Sequence, residues 1–93
     1  MALGVLSEPN RRRILDQLRG DELPVGDLVA RLRLSQPAVS KHLRVLRDAG
    51  LVEARVDAQR RLYRVRPESL RDLDAWLEPY RQMWAARLDH ADR

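Results

Sequence analysis

The segment Leu34-Ser-Gln-Pro-Ala-Val-Ser-Lys-His-Leu-Arg-Val-Leu-Arg-Asp-Ala-Gly50 reads as a helix with both ends marked. Ser35 is placed to accept from the free N–H groups of the first turn. Gln36 and Pro37 fill that turn, where proline lacks only a hydrogen that would go unpaired anyway. Gly50 is placed to take the left-handed conformation that ends a helix. Between them, Val39, Leu43 and Leu46 recur at i, i+4 and i+7 as one apolar stripe. The opposite face carries Gln36, Pro37, Ser40, Lys41 and Arg44, with no acid before Asp48. Short hydrogen-bonding side chains set among cations suit a helix seated in a DNA major groove. A solvated amphipathic helix is the plainer alternative, and this helix alone does not separate the two.

Working toward the N-terminus, Arg33-Leu34-Ser35 is a turn that joins this helix to a shorter one over Val25 to Leu32, presenting Val25, Leu28, Val29 and Leu32. Two helices joined by a three-residue turn, the second with the polar face, form a helix-turn-helix pattern. Asp21-Glu22-Leu23-Pro24 reads as a loop. Ser7-Glu8-Pro9-Asn10 starts an earlier helix that runs to about Arg19 and ends at Gly20, with Ile14, Leu15 and Leu18 inward. Its Arg11, Arg12 and Arg13 read as a solvated charged face rather than a phosphate site. Leu3, Val5 and Leu6 predict a short helix that packs on something, a second subunit being the natural candidate.

Beyond Gly50 the periodicity changes from helical to alternating. Leu51 to Val56 and Arg61 to Arg66 predict two strands joined by the four residues Asp57 to Arg60. This hairpin, over about residues 51–66, carries Arg60, Arg61, Arg64 and Arg66. A basic hairpin after a helix-turn-helix is a wing, able to follow the DNA backbone or place an arginine in the minor groove. The plainer alternative is an edge hairpin kept soluble by charge.

Charge supports the DNA reading. The sequence has 93 residues and a net charge of +4, and that charge is concentrated in its middle. Residues 31–66 hold ten Lys/Arg against three acids, whereas residues 1–30 hold four against five and residues 67–93 four against six. A basic band between near-neutral flanks is the footprint of phosphate binding. The length predicts one domain over residues 1–93 with a small core, and with no Cys neither disulfides nor thiolate metal sites supplement it. No apolar run approaches a membrane span and no signal peptide is visible, which predicts a soluble cytoplasmic protein with no membrane partner.

The last predicted helix, about residues 68–90, starts at Pro67-Glu68-Ser69. Leu70, Leu73, Leu77, Tyr80 and Trp84 follow a three-four spacing, widened by Trp76, Met83 and Leu88. That is more apolar surface than closing a small domain needs, and aromatic anchors are enriched at interfaces. The expected dimer interface is therefore Leu3, Leu6, Leu70, Leu73, Trp76, Leu77, Tyr80, Met83 and Trp84; the plainer alternative is an intrachain lid over the core. Pro79 predicts a kink or a split near Glu78.

Pro9 to Leu18, Glu22 to Leu28, Leu34 to Val52 and Arg60 to Val65 together resemble the ArsR family of bacterial winged-helix repressors. The most specific parts are Ser35 to Leu43 and Leu46 to Val52. The resemblance implies a mainly α fold with a small β-hairpin in the order α-α-α-α-β-β-α. It further implies a homodimer through the first and last helices, an imperfect inverted-repeat operator, and repression relieved by an effector that the residues do not specify. On this reading Ser35, Gln36, Pro37, Ser40, Lys41, His42, Arg44, Arg60, Arg61 and Arg64 contact DNA, although His42, at the edge of the apolar stripe, can equally be a packed residue.

The chain departs from the family in its metal ligands. Pro24 and Gly26 stand where the arsenic- and cadmium-sensing branch has Cys. On the last helix Asp72, Asp74, Asp89, His90 and Asp92 lack the second His that the zinc-sensing branch uses, so no metal or other cofactor is expected. Arg33 stands where the family often has Gly, and a left-handed backbone there would cost about 1 kcal/mol. The rival function is a winged-helix module whose basic face binds an acidic protein. An enzyme is not expected, since two His, no Cys and no Gly-rich phosphate loop give no nucleophile–base constellation.

Overall fold

A computed structural model describes the backbone of residues 3–91 and the side chains through Leu88. Five helices and a small sheet run in the order α1 (Leu3–Leu6), α2 (Pro9–Leu18), β1 (Leu23–Pro24), α3 (Val25–Leu32), α4 (Gln36–Asp48), β2 (Val52–Asp57), β3 (Arg60–Val65) and α5 (Pro67–Ala91).

Local chemistry sets most boundaries. Pro9 opens α2, and the Glu8 carboxylate caps it by accepting from the Arg11 backbone N–H at 3.1 Å. Ser35 caps α4 through the Ala38 N–H at 3.2 Å. At the other end of α4, Gly50 has φ +75°; its N–H donates to the Arg47 carbonyl, and that of Leu51 donates to the Leu46 carbonyl, both at 2.9 Å. Leu46 and Leu51, both fully buried, pack at this closing turn, the hydrophobic contact that accompanies such a cap. Helix α3 ends on Arg33 at φ 57°, ψ 37°, so the left-handed turn is made by a residue with a Cβ.

The core gathers Ile14 and Leu18 of α2, Leu28 and Leu32 of α3, Val39, Leu43 and Leu46 of α4, Leu51, Val52 and Tyr63 around the sheet, and Leu73 of α5. The α4 stripe is thus the wall against which α2, α3 and the sheet pack, leaving the opposite face outward. No polar or charged residue is buried among the described residues.

The structure corrects three expectations. Asp21 to Pro24 is not all loop: Leu23 and Pro24 form β1, pairing antiparallel with Tyr63 and Leu62 in a sheet of order β1-β3-β2. Burial of Leu23 forces its backbone to find partners, and a two-residue strand carries no periodicity from which to read this. The wing turn has two residues rather than four. Asp57 pairs with Arg60, leaving Ala58 and Gln59 as the loop with Ala58 at φ 57°. Helix α5 is not split at Pro79 but continues to Ala91. Proline removes the donor to the carbonyl four residues back, and that carbonyl belongs to exposed Ala75, where water can reach it.

Helix α5 leaves the domain body. Its first turn is tied down where the Ser69 hydroxyl donates to the Gly50 carbonyl and the Arg66 N–H donates to the Leu51 carbonyl. Leu73 is its buried anchor and Leu77 is half-buried; Leu70, Trp76, Tyr80, Met83, Trp84 and Leu88 are exposed. The extents of 54 × 25 × 21 Å reflect this projecting rod.

Candidate nucleic-acid interface

The outward face of α4 and one face of the wing enclose a groove of about 720 Å³. Ser40, Lys41, Arg44 and Arg47 line it from the helix and Arg61 from β3, with Leu43 and Tyr63 at its base and Asp48 at one end. Lys41, Arg44, Arg47 and Arg61 have no carboxylate within ion-pair distance among the described residues. Four unneutralised cations around one concave, hydroxyl-bearing surface make a site for a polyanion. Ser35, Gln36 and Pro37 are exposed at the N-terminus of α4, where the helix dipole adds partial positive charge.

The strand's alternation divides the wing arginines between its two faces. Arg61 and Tyr63 face the groove, whereas Leu62 and Arg64 line a recess on the other side with Leu18 and Glu22. On that far face the cations are paired: Arg64 with Glu53 at 2.6 Å, Arg66 with Glu53 at 3.8 Å, and Arg55 with Glu22 through two hydrogen bonds of 2.7 and 3.0 Å. The Arg55 bonds hold the Glu22 carboxyl below its ordinary range, and the carboxylate in turn raises Arg55. Arg60 sits at the wing tip, 3.9 Å from Asp57. The expected phosphate set of Arg60, Arg61 and Arg64 is therefore not one cluster, and only Arg61 shares the groove with α4.

Of the two places expected for His42, packed or at a phosphate, the structure shows the packed one. Its side chain is 16% exposed and turned toward α2, with Nδ1 accepting from Arg11 Nε at 3.4 Å and Nε2 lying 3.7 Å from a Glu8 carboxylate oxygen. The reason is helical phase: position 42 lies beside the buried stripe of Val39, Leu43 and Leu46.

In the arginine run of α2, Arg12 and Arg13 are exposed, as a solvated face requires, and Arg11 is half-buried; all three also tie helix ends together. Arg11 and Arg12 donate to the Val5, Leu6 and Ser7 carbonyls at the end of α1, and Arg13 donates to the Leu32 carbonyl at the end of α3. These are helix-end acceptors that would otherwise lack partners. Arg47 also lines the groove, a place the sequence reading does not give it; its spacing from Ser40 and Arg44, at i+7 and i+3, is the signal that puts it there. Of the metal candidates, Asp72 and Asp74 are exposed on α5, and Asp89, His90 and Asp92 lie outside the described side chains.

Known proteins resemble this chain in sequence and fold. Residues 8–54 match the family described as "Bacterial regulatory protein, arsR family". The transcriptional repressor SdpR of Bacillus subtilis (strain 168) is 32% identical over 72 residues, covering 77% of this chain and 80% of that protein. The transcriptional activator HlyU of Vibrio cholerae serotype O1 (strain ATCC 39315 / El Tor Inaba N16961) is 46% identical over 61 residues, 66% of this chain and 56% of that one. A crystal structure described as a possible transcriptional regulator for arsenical resistance superimposes with a TM-score of 0.81 at 41% identity, covering 98% of this chain and 94% of that one. A cation-lined groove between a helix-turn-helix and its wing, together with these matches, shows that the chain belongs to the ArsR family of DNA-binding transcription regulators rather than to any class of enzyme.

Proposed function

We propose that the protein is a homodimeric repressor that reads an inverted-repeat operator. The observation that carries the proposal is the groove itself, with Lys41, Arg44, Arg47 and Arg61 around Ser40 and without ion-pair partners among the described residues. Gln36 and Lys41 are best placed for base edges, since each presents donors at the exposed N-terminal half of α4. Arg44, Arg47 and Arg61 hold phosphates.

The apolar face of α5 supports dimerisation. Trp76, Tyr80, Met83, Trp84 and Leu88 form an exposed stripe, and the Trp76 and Tyr80 rings already pack together, tilted at 42° with centroids 5.0 Å apart. A monomer seldom leaves such a contiguous aromatic patch to water. Leu3 of α1 is exposed as well, and Leu6, Leu15, Val65, Pro67 and Leu70 line a shallow apolar recess of about 470 Å³ beside the base of α5. A second copy covering this seam sets two α4 helices roughly 34 Å apart, one turn of DNA.

Repression follows from occlusion: two such heads on adjacent major grooves cover the DNA that polymerase needs. SdpR, aligned over most of its length, carries that role in its name, while the shorter match HlyU is named an activator. Regulation needs no metal in this proposal. Selection from a random duplex pool tests the reading: it predicts enrichment of an inverted repeat bound by two chains. Enrichment of a single half-site bound by one chain would sink it. A reporter behind the selected site gives the sign, with higher output after deletion of the regulator expected for a repressor.

A further inference from the structure

Helix α4 is held to the rest of the domain mostly by contacts without direction. Val39, Leu43 and Leu46 are smooth aliphatic groups, and apolar burial alone resists small rotations of a helix about its axis only weakly. Among the described residues, His42 makes the one side-chain hydrogen bond from α4 to another helix. Its partner, Arg11, is also bonded to α1.

The connection runs through three atoms of one guanidinium-bearing residue. The Arg11 backbone N–H is fixed by the Glu8 carboxylate at 3.1 Å, Nη1 donates to the Val5 carbonyl at 3.3 Å, and Nε donates to His42 Nδ1 at 3.4 Å. Accepting at Nδ1 places the neutral imidazole's own hydrogen on Nε2, directed to the Glu8 side at 3.7 Å. The α1 helix carries Leu3 and Leu6, which belong to the proposed dimer seam, whereas α4 carries the groove residues.

We propose that Arg11 is a positioning residue: through His42 it fixes the angle of α4 relative to α1, and so sets the half-site spacing that a dimer accepts. The proposal rests on the dimeric reading above. A rotation of α4 by a few degrees leaves one head able to bind one half-site, but it shifts where the two heads of a dimer meet the duplex. Arg11 and His42 thus govern spacing rather than the contact itself.

The test uses an inverted-repeat duplex selected from a random pool by the unaltered protein, the same repeat with its spacer lengthened or shortened by one base pair, and an isolated half-site. His42→Leu fills the same half-buried space without an acceptor. His42→Asn keeps an acceptor oxygen near the Nδ1 position. Arg11→Lys keeps the charge, but one ammonium cannot span both acceptors, and it provides a second route should His42→Leu fail to fold.

The expected result is that the unaltered dimer prefers the selected spacing by about tenfold, the scale of one charge-assisted hydrogen bond. His42→Leu and Arg11→Lys lose that preference while half-site affinity and sedimentation as a dimer stay unchanged, and His42→Asn restores it. A His42→Leu or Arg11→Lys protein that keeps the preference overturns the proposal, as does equal loss on the half-site. An unaltered protein that sediments as a monomer defeats the dimeric reading first, and this inference with it.

Discussion

Arg33 and Ala58 both hold a left-handed backbone at φ 57°, a conformation that opposes a Cβ with the following carbonyl. The Arg33 N–H still donates to the Val29 carbonyl at 2.9 Å, so the turn between α3 and α4 is fully formed despite the strain. Arg33→Gly should relieve that strain and stabilise the protein by about 1 kcal/mol, less the entropy glycine adds to the unfolded chain. Gly50→Ala should do the reverse. The nearest atoms to an added Cβ are 3.9 Å away, so its cost is conformational rather than steric, about 1–2 kcal/mol. Thermal unfolding at fixed protein concentration checks both: a rise for Arg33→Gly and a fall for Gly50→Ala, roughly 4–8 °C for each kcal/mol. Movement in the same direction would refute the strain argument. Arg33 was legible only through the family resemblance, which places Gly, the residue suited to a left-handed backbone, at that turn. Ala58 was not, because arginines on both strands hide which residues pair and which form the loop.

At the scale of elements, the sequence marks α4 by a cap, a stripe and a glycine, and the structure places those features where the spacing expects them. The two faces of the wing were less legible. Charge alone makes Arg55, Arg61, Arg64 and Arg66 equivalent, and only the β2–β3 register with the loop before β1 shows which of them meet Glu22 and Glu53. This separation predicts different consequences. Arg61→Ala and Arg47→Ala should weaken binding to all DNA and reduce the salt slope by about one per subunit, whereas Lys41→Ala should relax sequence preference. Arg64→Ala should change neither. Titrations on selected and scrambled duplexes distinguish these outcomes, and equal losses from all four substitutions would contradict the assignment.

Glu22 gives a pH test of the far face. Its carboxyl is held below the ordinary value of 4.5 by the Arg55 hydrogen bonds, so the unfolded chain binds this proton more readily. The stabilisation is complete above pH 4.5 and is lost as pH falls through the lower folded value. The pair is exposed and its effect small. Glu22→Gln should therefore lower the unfolding midpoint slightly at pH 7, with the difference shrinking as pH drops below 4.5. Its DNA affinity at neutral pH should be unchanged, because Glu22 lies across the sheet from the groove.

At the scale of the whole molecule, a small body reads DNA and a long apolar rod extends from it. The rod's amphipathic spacing was plain in the sequence, but its projection was not, because the same spacing would serve a lid over the core. The exposure of Met83 at 65% and Leu88 at 58% supports the rod. Trp84→Glu should therefore leave the monomer folded, since Trp84 is exposed in a single chain, yet shift sedimentation from two chains toward one and weaken operator binding. An unfolded Trp84→Glu protein would mean that the helix belongs to the intrachain core. The most direct test of the central claim is fluorescence anisotropy of the protein on its selected inverted repeat against a scrambled duplex, across a salt series. Selective binding at two chains per site is predicted, with a slope of log affinity on log salt on the order of −5 to −7, as six to eight phosphate contacts from two grooves require. Equal, shallow binding to both duplexes would contradict it.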